Sequence, residues 1–396
     1  MGTSAGKMKI IAFLWVNPIW DAAGGVERVT GLLMKGLTAR KYRCINIVCK
    51  DNCSIYYERT ISEQTKIEDI DTYLIENKVD AIINQEGIFS DRFSLMKKDL
   101  KWKGKYIVVF HNDPSMYCYL FSKERIKTEI YNPANKLTNR VGWLARLLLY
   151  KIWYPRVIGK IRSAYLNNYN NCDHLVFLSS HFFSNYKQIT KIEDMTKCVA
   201  IPNPLSFLEI ADDSVLRQKK KEILIVSRLY EPEKRISLCL NVWKNLMKKG
   251  YSDWMLRIVG YGQDEDNYKL FVKKENLKNV IFEGKQESYK FYKTASIFLM
   301  TSAFEGWGLT LTESLQMGVV PVTMDSYKSI HDIITDNYNG KIVPNNNINE
   351  LQNQIEGLMN DKELLLNMAC NALKSADKFK LDNVLDKWER IINQKI

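Results

Sequence analysis

Ser296–Met317 reads SIFLM-TSAF-EGWG-LTLTESLQM. Five residues, Ser296–Met300, are apolar enough for a buried parallel strand, and the run Thr310–Met317 has helical spacing and stops at Gly318. The segment between them therefore lies where a strand hands over to a helix, the repeating unit of an open α/β sheet. Gly306 and Gly308 carry no Cβ, so the backbone there can come close to a ligand. The unpaired amides of the helix's first turn, from Trp307 through Leu309 and Thr310, favour a phosphate. Glu305 stands on the loop and Glu313 one turn into the helix, each able to accept bonds from sugar hydroxyls. Thr310-x-x-Glu313 also fits a capping box, in which Glu313 serves only the helix's own amides. Both readings of Glu313 stand at this point.

Outward from this segment the same alternation repeats. Before it come a strand at Ile223–Val226, a helix at Ile236–Lys248, a strand at Trp254–Val259, a helix at Asp266–Glu275 and a strand at Val280–Glu283; after it, a strand at Val319–Thr323. Toward the N-terminus, apolar strands are expected at Lys9–Val16, Cys44–Val48, Ala81–Asn84, Tyr106–Phe110 and His174–Leu178. The first of these leads through Ala22-Ala23-Gly24-Gly25 into a helical run, Val26–Thr38. Pro202, Pro204 and the polar stretch Glu209–Lys221 mark a joint. The expected class is α/β, two Rossmann-like doubly wound parallel-sheet domains facing across a cleft. The first spans residues 1–205 and the second residues 206–379, and the last helix (Asp382–Gln394, within 380–396) packs back on the first.

The chain has 396 residues, 46% hydrophobic and 26% charged, which suits two ordinary cores. No stretch of 18 residues is free of charge, and Met1–Lys9 lacks an apolar signal core, so a cytoplasmic location is expected. The eight cysteines show no C-x-x-C pair, and the four histidines are scattered, so buried free thiols and no metal site are expected. The net charge of +12 is uneven: residues 1–200 hold 30 Lys/Arg against 19 Asp/Glu, the remainder 27 against 26. Such a half meets a polyanion or an acidic membrane. From Asn132 to Cys172 there are seven cations and no acid, interleaved with Trp143, Leu147, Leu148, Leu149, Trp153 and Tyr154. That is the composition of helices lying on an anionic membrane, or of an insertion packed on its own domain. No helix-turn-helix, zinc or aromatic RNA-binding signature accompanies it, which argues against a nucleic-acid partner.

Ser227-Arg228-Leu229 and Lys234 follow the strand Ile223–Val226, at the sheet edge where open α/β folds bind ligands. An arginine and a lysine there can neutralise a diphosphate. Val259-Gly260-Tyr261-Gly262 and Phe282-Glu283-Gly284-Lys285 are further strand-end turns; they border a flat base or only turn the chain.

In this order the segments resemble the retaining GT-B glycosyltransferases of family 4. Ile201-Pro202-Asn203-Pro204, Asn339-Gly340-Lys341-Ile342-Val343-Pro344 and Gly24-Gly25-Val26-Glu27-Arg28 add to the resemblance, as does His111 after its strand. The resemblance implies that Arg228 and Lys234 contact a donor diphosphate, Glu305 the donor sugar and Glu313 the ribose. Gly306, Trp307, Gly308, Leu309 and Thr310 then line sugar and phosphate, with Gly260 and Lys285 nearby. Gly24 and Gly25 close over the phosphates, and His111 orients the sugar or the acceptor, although a lone strand-end histidine is more often structural. The family spaces its arginine and lysine five apart, whereas Arg228 and Lys234 are six apart, so Arg235 is an alternative to Lys234. The activity implied is transfer of a hexose or N-acetylhexosamine from a nucleotide diphosphate sugar, UDP being the commoner choice, with no cofactor. The acceptor implied is a glycan, such as one linked to undecaprenyl diphosphate, at the inner face of a bacterial plasma membrane. Rival readings are a hydrolysing UDP-sugar epimerase of the same fold, and a non-catalytic basic protein binding nucleic acid or membrane.

Overall fold

The computed structural model describes residues 8–19, 24–51, 54–87, 91–132, 135–207 and 210–394. The lead before Met8, Ala22 and Ala23 of the glycine turn, Cys53 and Glu209 lie outside the described residues. The chain forms two compact units. One comprises residues 1–115, 155–204 and 379–396, the other residues 116–154 and 205–378.

The first unit is built on an eight-stranded sheet: β1 (Ile10–Trp15), β2 (Arg43–Lys50), β3 (Ile55–Arg59), β4 (Gln64–Ile67), β5 (Ala81–Asn84), β6 (Lys105–Phe110), β7 (His174–Phe177) and β8 (Cys198–Ala200). Their order is β4-β3-β2-β1-β5-β6-β7-β8. All pairings are parallel except β2–β3 and β3–β4, which are antiparallel. The alternating pattern predicts a purely parallel sheet, and the β3–β4 hairpin departs from it. Along β4 only Ile67 is buried, so the edge carries almost none of the apolar signal that marks an inner strand. Inner strands are enclosed on both faces, as in β6, where all six residues are buried.

Helix Gly25–Ala39 follows β1, and the last helix, Leu381–Asn393, packs against it. Gly36 permits this approach, since a Cβ there would lie 2.6 Å from a methyl of Leu385. Val384, Leu385, Trp388, Ile391 and Ile392 are the buried face of the last helix. Arg40 clamps its outer face to Asp382 (3.0 Å), Asp386 (2.6 Å) and Glu389 (2.5 Å). Lys105 Nζ donates to the carbonyl of Ile391 (2.7 Å), satisfying an end of the helix that has no partner within it.

The second unit holds a six-stranded, wholly parallel sheet: β9 (Glu222–Val226), β10 (Met255–Val259), β11 (Val280–Gly284), β12 (Ile297–Met300), β13 (Val320–Asp325) and β14 (Lys341–Pro344). Its order is β11-β10-β9-β12-β13-β14, so the direction of winding reverses between β9 and β12. Asn339–Pro344, marked in the sequence only through the resemblance, contains the last strand. Only Val343 of β14 is buried, again the weak pattern of an edge. Residues 116–154 also belong to this unit, whereas the sequence division draws one boundary at 205. Three side-chain contacts made by that segment join it to this unit: Tyr119 stacks on Phe304 at 6.1 Å, and Arg125 and Glu129 each reach Tyr230.

Lys219 is half-buried in this unit and donates to the carbonyls of Tyr292 (2.8 Å) and Met317 (2.7 Å), at the ends of two helices. Burial pushes its ammonium down to about 7, with Glu222 opposing. In the unfolded chain a lysine titrates near 10.4. Between these values the unfolded state binds the extra proton, so stability rises with pH. The wild-type protein is therefore expected to gain on the order of 2–4 kcal/mol from pH 7 to 10 relative to Lys219→Met, read from urea midpoints of both.

Candidate functional site

The helix Leu309–Gln316 starts from Gly308, whose φ of 82° suits glycine; no side chain caps it. Thr310 is thus inside the helix, and the capping-box reading of Thr310 and Glu313 falls. A Cβ on Gly308 would also lie 2.9 Å from the Tyr327 hydroxyl. Gly318, with φ 60°, closes the helix two residues past its end. Glu313 is only 1% exposed, and Trp307 is buried too.

Glu305, on the loop after β12, forms an ion pair with Lys234, on the short helix Glu231–Lys234 after β9. Both side chains are largely enclosed, and the Ser302 hydroxyl adds a bond to the same carboxylate oxygen at 2.8 Å. This pair spans the reversal point between β9 and β12, where doubly wound sheets place their ligands. Arg235 takes a different role. Its backbone is left-handed (φ 50°), and its guanidinium donates to the carbonyls of Thr301 (2.6 Å) and Ser302 (3.0 Å) and to the side chains of Asn345 (2.9 Å) and Asn346 (2.6 Å). Of the two neighbouring cations, Lys234 meets Glu305 and Arg235 ties loops together.

Arg228 is 60% exposed, paired with Glu233 and lying over the Tyr230 ring at 5.5 Å. Tyr230 is held from below. Its hydroxyl donates to Glu129 Oε1 (2.7 Å) and accepts from Arg125 (2.7 Å), which is itself paired with Glu129 at 2.5 Å. Arg125 and Glu129 keep only 7% and 5% of their side-chain surface exposed. Burial, then the bond to Glu129, pushes the Tyr230 phenol up to about 12. Nothing in the sequence marks this triad, since an (i, i+4) Arg–Glu pair on a helix reads as a surface ion pair.

Gly260, with φ 140°, sits against β9: a Cβ there would come within 1.8 Å of the Ser227 carbonyl oxygen. At Gly262 it would come within 2.2 Å of the Leu229 carbonyl oxygen. These glycines let the loop after β10 lie flush on the Arg228 loop, a packing reason for a pair first read as bordering a base or turning the chain. Lys285 lies over the Tyr261 ring at 5.2 Å, beside them. The loop after β13 braces the Glu305 loop. Ser326 bonds the Ser302 carbonyl, Ser329 bonds that of Gly306 (3.0 Å), and buried Tyr327 lies beneath Gly308.

In the first unit, Gly24 caps helix Gly25–Ala39, and the Trp15 indole (3.0 Å) and Asn17 amide (3.1 Å) bind Glu27 of its first turn. His111 follows β6. Its Nε2 lies 2.5 Å from Gln85 Oε1, and its ring meets Trp15 edge-on at 6.4 Å. Burial pushes the imidazole down to about 4, with Glu27 opposing. Burial also raises the neighbouring Glu86 carboxyl to about 7. His111 is therefore expected to stay neutral from pH 5 to 8, with proton loss in the unfolded chain near 6.5. The unfolded state binds more protons between about 4 and 6.5, so this group favours folding increasingly as pH rises through that window. NMR titration of the His111 ring protons checks it: a midpoint above 6 contradicts the enclosure.

The two sheets and their strand-end sites define a GT-B protein. Residues 207–375, which lie within the second unit, match the family model described as glycosyl transferases group 1. An uncharacterized glycosyltransferase of Haemophilus influenzae is 27% identical over 240 residues, covering 60% of this chain and 64% of the relative. A Campylobacter jejuni protein is 24% identical over 372 residues, covering 93% and 95% respectively. It is named GalNAc-alpha-(1->4)-GalNAc-alpha-(1->3)-diNAcBac-PP-undecaprenol alpha-1,4-N-acetyl-D-galactosaminyltransferase. Among solved structures, Anabaena HepE in complex with UDP superposes with a TM-score of 0.67 at 13% identity, covering 98% of this chain and 100% of that one. The chain thus spans slightly less than two thirds of the Haemophilus relative's length.

Proposed function

We propose that the chain is a retaining glycosyltransferase of family 4 that moves a hexose or N-acetylhexosamine from a UDP-sugar to a glycan acceptor carried on a lipid diphosphate. The ion pair of Lys234 and Glu305 at the sheet's reversal point carries this reading. A carboxylate set beside an ammonium there can hold sugar hydroxyls while the cation meets phosphate. Lys234, Arg228 and the uncapped amides from Leu309 onward then face the charge that builds on the departing diphosphate. With that charge met by protein groups, the reaction needs no resident metal or cofactor.

In the proposed step the acceptor hydroxyl attacks the anomeric carbon as the bond from that carbon to phosphate oxygen breaks. The electron pair leaves with UDP, and the acceptor's proton passes to a phosphate oxygen on the same face, which retains configuration. The neutral His111 donates or accepts a hydrogen bond on the acceptor side without carrying charge. The UDP bound in the Anabaena structure and the undecaprenol-linked substrate in the Campylobacter protein's name support the choice of donor and acceptor. Assembly of a bacterial surface glycan at the cytoplasmic face of the plasma membrane is the setting that follows.

A panel of UDP- and GDP-sugars tested for thermal stabilisation, then for UDP release with and without glycan acceptors, tests the proposal. Release that depends on acceptor supports it. Equal release from the donor alone points to the hydrolysing epimerase, and no stabilisation by any nucleotide sugar removes both.

A further inference from the structure

The first unit has a hollow at the edge of its sheet opposite Gly24 and His111. Lys9 precedes β1, Ala81 opens β5 and Lys105 opens β6, three neighbouring strands that run parallel. Their amino ends, the turn after helix Ile70–Glu76 and the end of the last helix border a cavity of about 480 Å³. β6 has six residues, which at roughly 3.3 Å each sets Lys105 about 20 Å from His111. Sugar transfer as proposed uses no group on this edge.

Two kinds of surface line the cavity. Leu74, Val79, Trp102 and Ile392 are buried and apolar, and Ile75, 46% exposed, stands at the rim. Trp102 is fixed in place, its indole N–H donating to the Val79 carbonyl at 2.6 Å. Lys9, Lys78, Lys103 and Lys105 supply four cations. Among the described residues the one acid in the lining is Asp80, already engaged by the backbone N–H of Ile10 at 2.7 Å. Lys105 is only 5% exposed and is pinned by the Ile391 carbonyl (2.7 Å); Lys9 is pinned by the Asn393 side chain (2.7 Å). Burial pushes the Lys105 ammonium down, with Asp173 opposing the shift and Lys9 adding to it. The fold thus holds two ammonium groups within reach of each other's repulsion.

We propose that this cavity binds a small organic anion, a carboxylate or phosphate ester whose charged end meets the lysines while its apolar body lies against Trp102 and Ile75. An anion relieves the repulsion between Lys9 and Lys105, and cations already pinned lose little freedom on meeting it. A metal cation is repelled by four ammonium groups, and a bare inorganic anion leaves the apolar wall uncovered. The volume suits a body of one or two rings. Such a ligand touches the sheet at Ala81 and Lys105 and the last helix at Ile392 and Gln394, so it fastens one to the other. The inference stands apart from the sugar-transfer reading.

Calorimetric titration of the full chain with naphthyl phosphate, naphthoate and neutral naphthol, with UDP absent or saturating, tests it. At least one of the two anions is expected to bind roughly tenfold or more tightly than naphthol, with UDP leaving its affinity unchanged. Lys78→Ala and Lys103→Ala are each expected to weaken binding about fivefold, and Ile75→Glu, which sets an acid on the rim, more than about tenfold. All three side chains are exposed, so circular dichroism melts of these variants should match the wild type. The bound anion is also expected to slow amide exchange in the last helix, Leu381–Asn393. Absence of binding by both anions at millimolar concentration overturns the proposal. Equal affinity for naphthol, unchanged affinity in Ile75→Glu or displacement by UDP overturns it too, since each places the probe elsewhere.

Discussion

Glu305→Ala is expected to lower kcat by about 10²–10³-fold while the protein still melts cooperatively. The carboxylate stands on a loop and is held by Lys234 and Ser302, not by core packing, so its removal leaves the sheet intact. Lys234→Ala is expected to have a comparable effect for a different reason, the loss of positive charge at the diphosphate. Because the two side chains form one ion pair, the double variant is expected to lose far less than the product of the single losses. Glu305→Gln separates charge from shape: it keeps the hydrogen-bonding span but breaks the pairing with Lys234. Steady-state UDP release with saturating acceptor measures all four, and wild-type turnover in a folded Glu305→Ala protein removes the site assignment.

The second large effect is expected at Glu129, which touches no residue of the candidate site except through Tyr230. Glu129→Ala leaves Arg125 buried without its counter-charge and is expected to cost about 3–5 kcal/mol of stability. It also removes one of the two hydrogen bonds to the hydroxyl of Tyr230, whose ring carries Arg228, so the donor KM is expected to rise more than kcat falls. Replacing the pair by apolar residues, Arg125→Met with Glu129→Leu, removes both buried charges at once and is expected to restore most of the stability. The raised donor KM should persist, because the Tyr230 hydroxyl then lacks both partners. Urea unfolding and donor saturation curves on the three proteins read the two quantities separately. A double variant restored in both would make the triad a purely structural device.

Much of the architecture is written in local pattern. Ala81–Asn84 and Ile236–Lys248 are apolar or amphipathic over their full length, and their limits in the structure are those read from the sequence. The hairpin β3–β4 and the strand β14 escape such reading, because each of these strands, at or next to a sheet edge, buries a single residue and leaves no periodic signal. At the site, the glycines after β12 and the cations after β9 are visible as residue types at strand ends. Their partners are not, and Tyr230 looks like any aromatic until Arg125 and Glu129 are seen beneath it.

By itself the sequence determined two runs of alternating strands and helices, a glycine-bearing strand-to-helix turn at Glu305–Thr310, and an acid-free basic segment at 132–172. Each follows from side-chain periodicity or composition over about ten to forty neighbouring residues. Only the tertiary structure decided that Lys234 turns to Glu305 while Arg235 binds loop carbonyls, and that residues 116–154 sit with the second unit. It also showed that Leu137, Val141, Leu144 and Leu148 face outward. These outcomes rest on one left-handed backbone angle and on contacts with residues remote in the chain, and no local pattern encodes which side of a helix its distant neighbours will cover.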